Sequence, residues 1–275
     1  MLTSRLAILA AAILWSTAGA AIKLCGLDGF QIASGRSAVA ALVIFALFPS
    51  ARALPTRRTL AVAVAYAATV VLFVLATKHT TAANAIFIQD TAPLYVMLLS
   101  PLVLRERPTR QELAAAPVYA CGLGLFFFDQ LSPGQLTGNL LAVASGVAFA
   151  SCIVGLRWVR GSDLAAVAWG NVIAAAGALP FALGGPAPTT LDLGLLLFLG
   201  TFQLGFSYAL FSIGLRHVSA IEASLLMLLE PVLNPVWTFL LAGERPGPWA
   251  LAGGAVILAA TLWRTLPKAE SRAGA

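Results

Sequence analysis

The sequence predicts an all-α membrane protein of ten transmembrane helices, built as two inverted five-helix repeats. Three observations carry this. Of its 275 residues, 60% are hydrophobic and only 10% charged, more apolar surface than a soluble fold of this size can hide. The charges keep clear of ten stretches, each close to the ~20 residues that cross a bilayer as a helix. The second half of the chain repeats the first at an offset of 138 residues (231 less 93). Leu72-Phe73 and Lys78-His79 match Leu210-Phe211 and Arg216-His217, Pro93 matches Pro231, and Glu106-Arg107-Pro108 matches Glu244-Arg245-Pro246. Each copy holds an odd number of spans, so the second must enter the membrane upside down.

The spans fall at roughly 4–22, 31–49, 59–77, 82–104, 111–128, 138–156, 164–183, 192–214, 219–241 and 248–266. They divide the chain into a first repeat (1–128), a periplasmic connector (129–137), an inverted second repeat (138–266) and a cytoplasmic tail (267–275). The first span imitates a secretory signal, with Arg5, an apolar run and then small residues. Yet Ala11 to Thr17 is similar to Ser145 to Ser151, and Trp15 falls opposite Phe149. The segment therefore belongs to the repeat unit and is expected to be retained. The loops are short, and none has room for a soluble domain. Runs of small residues, such as Ala10-Ala11-Ala12, Ala174-Ala175-Ala176-Gly177 and Gly253-Gly254, permit close helix contact.

Charge sets the orientation. With the amino terminus in the cytoplasm, thirteen of the seventeen Lys and Arg lie on the inner side, and Lys23, Arg36, Lys78 and Arg245 fall outside. The same bias tests the inversion. Arg105, Arg107 and Arg110 make the loop after the fourth span basic, whereas its copy keeps only Arg245. Arg52, Arg57 and Arg58 follow the second span, and their counterpart Gly184-Gly185-Pro186-Ala187-Pro188 carries no charge. Opposite bias in related halves is what opposite insertion predicts. Both termini are then cytoplasmic. The net charge of +6 follows from this topology, and no nucleic acid partner is needed to explain it.

Asp90 and Glu230 sit near the middle of the fourth and ninth spans, in the settings Gln89-Asp90-Thr91-Ala92-Pro93 and Leu229-Glu230-Pro231. An ionisable residue there costs about 2.5–3.5 kcal/mol on insertion scales, so it faces a cavity or a partner. The adjacent prolines remove backbone donors and open carbonyls of the preceding turn, which marks Pro93 and Pro231 as hinge candidates. The two acids either bind a substrate ammonium or couple protons, or else they are neutral acids tying helices together. Asp90 has no acidic counterpart, because Leu228 occupies the matching position. Glu230, Asn234 and Trp237 recur on one helix face. Trp15, Tyr95, Trp169 (near Asn171), Tyr208 and Trp237 lie inside their spans and are candidates for a ring-stacking pocket. His79 ends the third span on the outer side, where it either binds a substrate carboxylate or caps the helix. Trp158, Trp249 and Trp263 lie near span ends and read as interfacial anchors.

A basic residue plus His closing the third span, a central proline in the fourth, and Glu-Arg-Pro closing it resemble the EamA-type repeat of the drug/metabolite transporter superfamily. The likeness covers nearly the whole chain, both copies included. The Lys78-His79 end and the stretch Ala82-Ala83-Asn84-Ala85-Ile86-Phe87-Ile88-Gln89 look most like the aromatic amino acid exporters of that superfamily, the YddG group. The resemblance implies a secondary transporter that moves aromatic and other hydrophobic amino acids outward across a bacterial inner membrane. A cationic drug or a nucleotide-linked sugar is the alternative cargo. The expected partners are the amino acid and the lipid bilayer, and the expected state is a monomer.

Other classes find no motif. The sequence has no Gly-Lys-Ser/Thr phosphate loop, no His-Glu-x-x-His and no Gly-x-Ser-x-Gly, so no enzyme activity is expected. Two histidines and three scattered cysteines (Cys25, Cys121, Cys152) predict no metal site, no disulfide and no cofactor.

Overall fold

The computed structural model describes residues 2–130, 136–242 and 248–265. The described residues form α-helices joined by short turns: α1 (Leu2–Trp15), α2 (Ala18–Leu24), α3 (Gly29–Leu47), α4 (Arg57–His79), α5 (Ala82–Gln89), α6 (Ala92–Val103), α7 (Arg110–Gln130), α8 (Leu136–Trp158), α9 (Asp163–Ala182), α10 (Thr190–Phe198), α11 (Ser207–Leu215), α12 (Ala220–Leu226), α13 (Leu229–Ala242) and α14 (Pro248–Thr265). Eight spans among the described residues are long and apolar enough to cross a membrane, α1–α2, α5–α6, α10–α11 and α12–α13 each counting as one. Helix α7 takes the fifth place, and α14, with the apolar stretch Leu251–Trp263, takes the tenth. Helix α7 runs to Gln130 and α8 begins at Leu136, and residues 131–135 between them lie outside the described residues. The Glu244-Arg245-Pro246 motif and the tail 267–275 lie outside the described residues.

Local chemistry starts and interrupts these helices. Thr81 and Ser219, 138 positions apart (219 less 81), cap α5 and α12 in the same way, accepting from the backbone N–H of Asn84 and Glu222. Both spans then break at matching depth, at Asp90-Thr91 and at Met227-Leu228. Pro93 and Pro231 stand in the first turn of the half-helices that follow, where a missing N–H costs least. Around each break the ladder tightens to i→i−3 bonds, Thr91 to Ile88 and Glu230 to Met227.

The first and eighth spans are irregular in ways their counterparts are not. The first is interrupted at Ser16-Thr17, whose hydroxyls donate back to Ile13 O and Leu14 O at 2.7 Å each. The eighth carries a π-helical segment, Leu199–Phe206. Helices α8 and α4, at the matching places, run unbroken.

Packing follows the repeat relation. The first helix of each repeat lies on the third span of the other: α1 on α11, and α8 on α4. Glycine permits the first of these contacts, because a Cβ on Gly214 would stand 2.3 Å from Ile8 Cγ1 and 2.9 Å from Ser4 O. Helices α7 and α14 pack together beside this centre. The larger apolar cluster gathers Trp15, Tyr66, Phe149, Tyr208 and Phe211. A smaller one holds Ile22, Ile32, Phe73, Ile86 and Leu199. Leu42, Leu98, Leu102 and Leu183 face outward, as suits helices whose solvent is lipid.

Candidate functional site

A small cavity of about 30 Å³ lies where the repeats meet, lined by Trp15, Arg36, Thr69, Val70, Phe73, Gln89, Phe149, Gln203, Leu204, Tyr208 and Glu230. Such a volume holds about two water molecules. Both repeats contribute, with α1, α3, α4 and α5 from the first and α8, the π segment, α11 and α13 from the second. One wall is aromatic. The Trp15 ring meets Tyr208 edge-on at 4.6 Å between centroids, Phe149 edge-on at 5.7 Å and Phe211 at 5.2 Å. Tyr66 meets Tyr208 from behind at 4.6 Å.

The other wall is polar. Arg36, 1% exposed, donates through Nη1 to Gln203 Oε1 at 3.1 Å and through Nη2 to Val70 O at 2.7 Å. Gln89 donates to Ser145 Oγ at 2.6 Å, and Ser145 donates on to Thr69 O at 3.0 Å. Glu230, buried in the first turn of α13, closes the ring of lining groups.

Of the residues singled out from sequence, Trp15, Tyr208 and Glu230 line this cavity. The others are placed elsewhere. Asp90 is buried and lines a separate apolar cavity of about 140 Å³ with Pro93, Met97, Tyr119, Leu225 and Leu228; its Oδ2 has no hydrogen bond. Asn171 lies one layer behind the aromatic wall, donating to Tyr66 Oη at 2.8 Å. Trp237 donates to Ser16 Oγ at 2.8 Å, at the break in the first span, and a Cβ on Gly19 would come within 2.9 Å of Asn234 Oδ1. The Glu230–Asn234–Trp237 face of α13 thus looks inward. Trp169 sits away from the cavity, donating to Ala53 O at 3.0 Å and packing edge-on against Phe45. Tyr95 is half-buried against the larger apolar cluster, and His79 is exposed at the end of α4.

The cavity also corrects the charge count. Arg36 is not an outer-loop residue. It lies inside α3, two turns from the helix start, and reaches the centre of the bundle. A signal was present in the sequence, since Arg36 interrupts the apolar run 29–47 and stands between Ser34-Gly35 and Ser37. Gln89, Gln203 and Tyr66 were also passed over. Gln203 carried a faint signal, a lone amide between Gly200 and Gly205.

Polar contacts join the two repeats at both ends of the bundle. At the face bearing the amino terminus, Arg5 pairs with Glu222 at 2.7 Å, Glu106 accepts from Arg157 Nε at 2.6 Å, and Ser219 donates to Glu112 at 2.9 Å. At the opposite face the Gly26 N–H donates to Asp192 Oδ1 at 2.7 Å, and Thr80 donates to Asn139 at 3.0 Å. No His/Cys/Asp/Glu group able to hold a metal occurs among the described residues.

A polar and aromatic cavity between two inverted membrane repeats is the arrangement in which secondary transporters hold their cargo. The EamA-like transporter family profile matches the chain twice, over residues 2–128 and 136–265, and the chain belongs to that family. An uncharacterized transporter of Archaeoglobus fulgidus is 29% identical over 266 residues, covering 94% of this chain and 95% of its own. A solved structure described only as "Crystal structure of protein" shares the fold, with a TM-score of 0.77 at 19% identity over 95% of this chain and 96% of the other. Family and relative indicate a transporter rather than an enzyme.

Proposed function

We propose that this transporter exports aromatic and other hydrophobic amino acids across the bacterial inner membrane by alternating access. The supporting observation is the central chamber, which sets a cluster of aromatic rings against buried polar and charged groups at the level where the two repeats meet. Rings suit an aromatic side chain, and polar groups suit an amino-acid head. At about 30 Å³ the cavity must widen to admit such a cargo, as alternating access requires. The face bearing Arg5, Arg52, Arg57, Arg58, Arg157 and Arg160 is taken as cytoplasmic by the positive-inside rule.

A lipophilic cation is the second reading of cargo. It is favoured by Asp90, whose unbonded carboxyl oxygen lines an apolar cavity walled by residues of α6, α7 and α12. Liposomes containing the purified protein and loaded with labelled phenylalanine separate the readings. Amino-acid export expects saturable efflux that excess unlabelled tryptophan suppresses. Saturable flux of a lipophilic cation, with none for any amino acid, would overturn it.

A further inference from the structure

Arg36 is a buried cation without a counter-ion. Its two hydrogen bonds run to neutral acceptors, Gln203 Oε1 and Val70 O, and its Nε has no partner. The ion pairs among the described residues, Arg5–Glu222, Arg157–Glu106 and Arg160–Glu106, all lie at the amino-terminal face. A charge taken out of water is costly unless paired, and a charge inside a membrane bundle marks a pathway or a ligand. Glu230 lines the same cavity from the other repeat, yet it forms no ion pair with Arg36. The cavity thus holds one cation and one acid apart, with the Trp15–Tyr208 wall beside them.

The backbone is distorted to serve this arrangement. Gln203 lies in the π segment Leu199–Phe206, and π-helical turns are frequent at functional sites. A Cβ on Gly200 would fall 2.6 Å from Arg36 O and 2.5 Å from Val39 Cβ, so only glycine lets the π segment press against α3 here. Gln203 thereby engages one end of the guanidinium and leaves its Nε–H open. A planar guanidinium with an open donor fits a carboxylate, which supplies both the missing charge and the missing acceptor.

We propose that Arg36 binds the α-carboxylate and Glu230 the α-ammonium of the cargo, so that the site selects a zwitterion carrying a hydrophobic side chain. This rests on the export reading above and narrows it, because a ligand lacking either head group leaves Arg36 or Glu230 without a counter-group.

The test is binding to the purified full chain, followed by tryptophan fluorescence, with three probes: L-phenylalanine, phenethylamine (no carboxylate) and 3-phenylpropanoate (no ammonium). The wild type should bind phenylalanine about tenfold or more tightly than either truncated probe, the worth of one charge-assisted hydrogen bond. Arg36→Gln should remove the preference over phenethylamine and keep the preference over 3-phenylpropanoate. Glu230→Gln should do the converse. Arg36→Lys should keep a reduced preference over phenethylamine, and it guards against a Gln variant that fails to fold. A wild type that binds phenylalanine no better than the truncated probes overturns the proposal without any variant. So does an Arg36→Gln protein that keeps the full preference over phenethylamine, in which case amino-acid export itself still stands. Failure of the wild type to bind or move any amino acid ends both.

Discussion

Arg5 of the first repeat and Glu222 of the second form an ion pair, with Nη2 2.7 Å from Oε1, across the mouth of the bundle on the amino-terminal face. Glu222 stands where the first repeat has Asn84 (222 less 84 is the same 138), and Asn84 donates instead to Thr80, four residues back in its own repeat. One face is therefore latched by an ion pair between the repeats, whereas at the other the Asp192 carboxylate accepts from the Gly26 backbone and Thr80 donates to Asn139. Glu222→Gln should loosen the charged latch alone. A cysteine introduced at Ser4 should then react faster with a membrane-impermeant thiol reagent, and the exchanged pair Arg5→Glu/Glu222→Arg should restore protection. A coupling of roughly 0.5–3 kcal/mol is expected for a pair in direct contact. Unchanged labelling in Glu222→Gln would show that the pair does not hold this face shut.

Trp15 is the keystone of the aromatic wall, touching Tyr208, Phe149 and Phe211 together. Trp15→Phe keeps an apolar ring but loses area, and edge-on pairs contribute about 0.5–1.5 kcal/mol each. The half-saturation concentration for phenylalanine should rise about two- to tenfold, with maximal flux nearly unchanged. A fall in maximal flux at constant half-saturation would place Trp15 in the moving parts rather than in the pocket.

The fold was legible in the sequence because duplication writes the same punctuation twice. The caps Thr81 and Ser219 and the prolines 93 and 231 all sit at one offset, and each acts through local backbone chemistry that does not depend on distant contacts. The site was less legible. Arg36 was counted with loop charges because the positive-inside rule sorts by sequence position, whereas its depth is set by where α3 begins, at the Asp28 capping box. Asp90 and Gln89 are adjacent and point to different cavities, a split decided by the local break in the fourth span. Trp169 and Tyr95 read as pocket residues because depth in a span says nothing about which side faces inward. The π segment, which turns on packing against α3, left no periodic trace.

Asn171 acts on the site through Tyr66. It donates to the Tyr66 hydroxyl at 2.8 Å, and Tyr66 in turn packs edge-on against Tyr208. Asn171→Leu should lower stability by about 1–3 kcal/mol, because a buried hydroxyl loses its partner. Adding Tyr66→Phe to Asn171→Leu should cost less than the sum of the two single changes, since both partners are then gone. Strict additivity in thermal unfolding would mean that the bond contributes nothing.

Glu230 is the acid that both lines the central chamber and adjoins the irregular backbone of the ninth span. If it carries the coupling proton, efflux should accelerate when the far side of the membrane is more acidic, and Glu230→Gln should abolish that acceleration while leaving some downhill flux. A Glu230→Gln protein whose flux still follows the pH gradient would assign coupling to another group, Asp90 being the next buried acid.

Pro231 keeps α12 and α13 from fusing. With an N–H at 231 the chain could bond back to Met227 O and continue one α-helix through Leu228, where only i→i−3 bonds now form. Pro231→Ala supplies that donor. If the break is where the half-helices swing, the variant should bind phenylalanine within about twofold of wild type yet move it severalfold more slowly, since the barrier rises while the closed site is unchanged. Pro93→Ala, at the matching break of the fourth span, should behave alike. Weakened binding with normal flux at saturating cargo would instead make these prolines part of the pocket's shape, and the swing would have to be sought at the Ser16-Thr17 interruption, which the second repeat lacks.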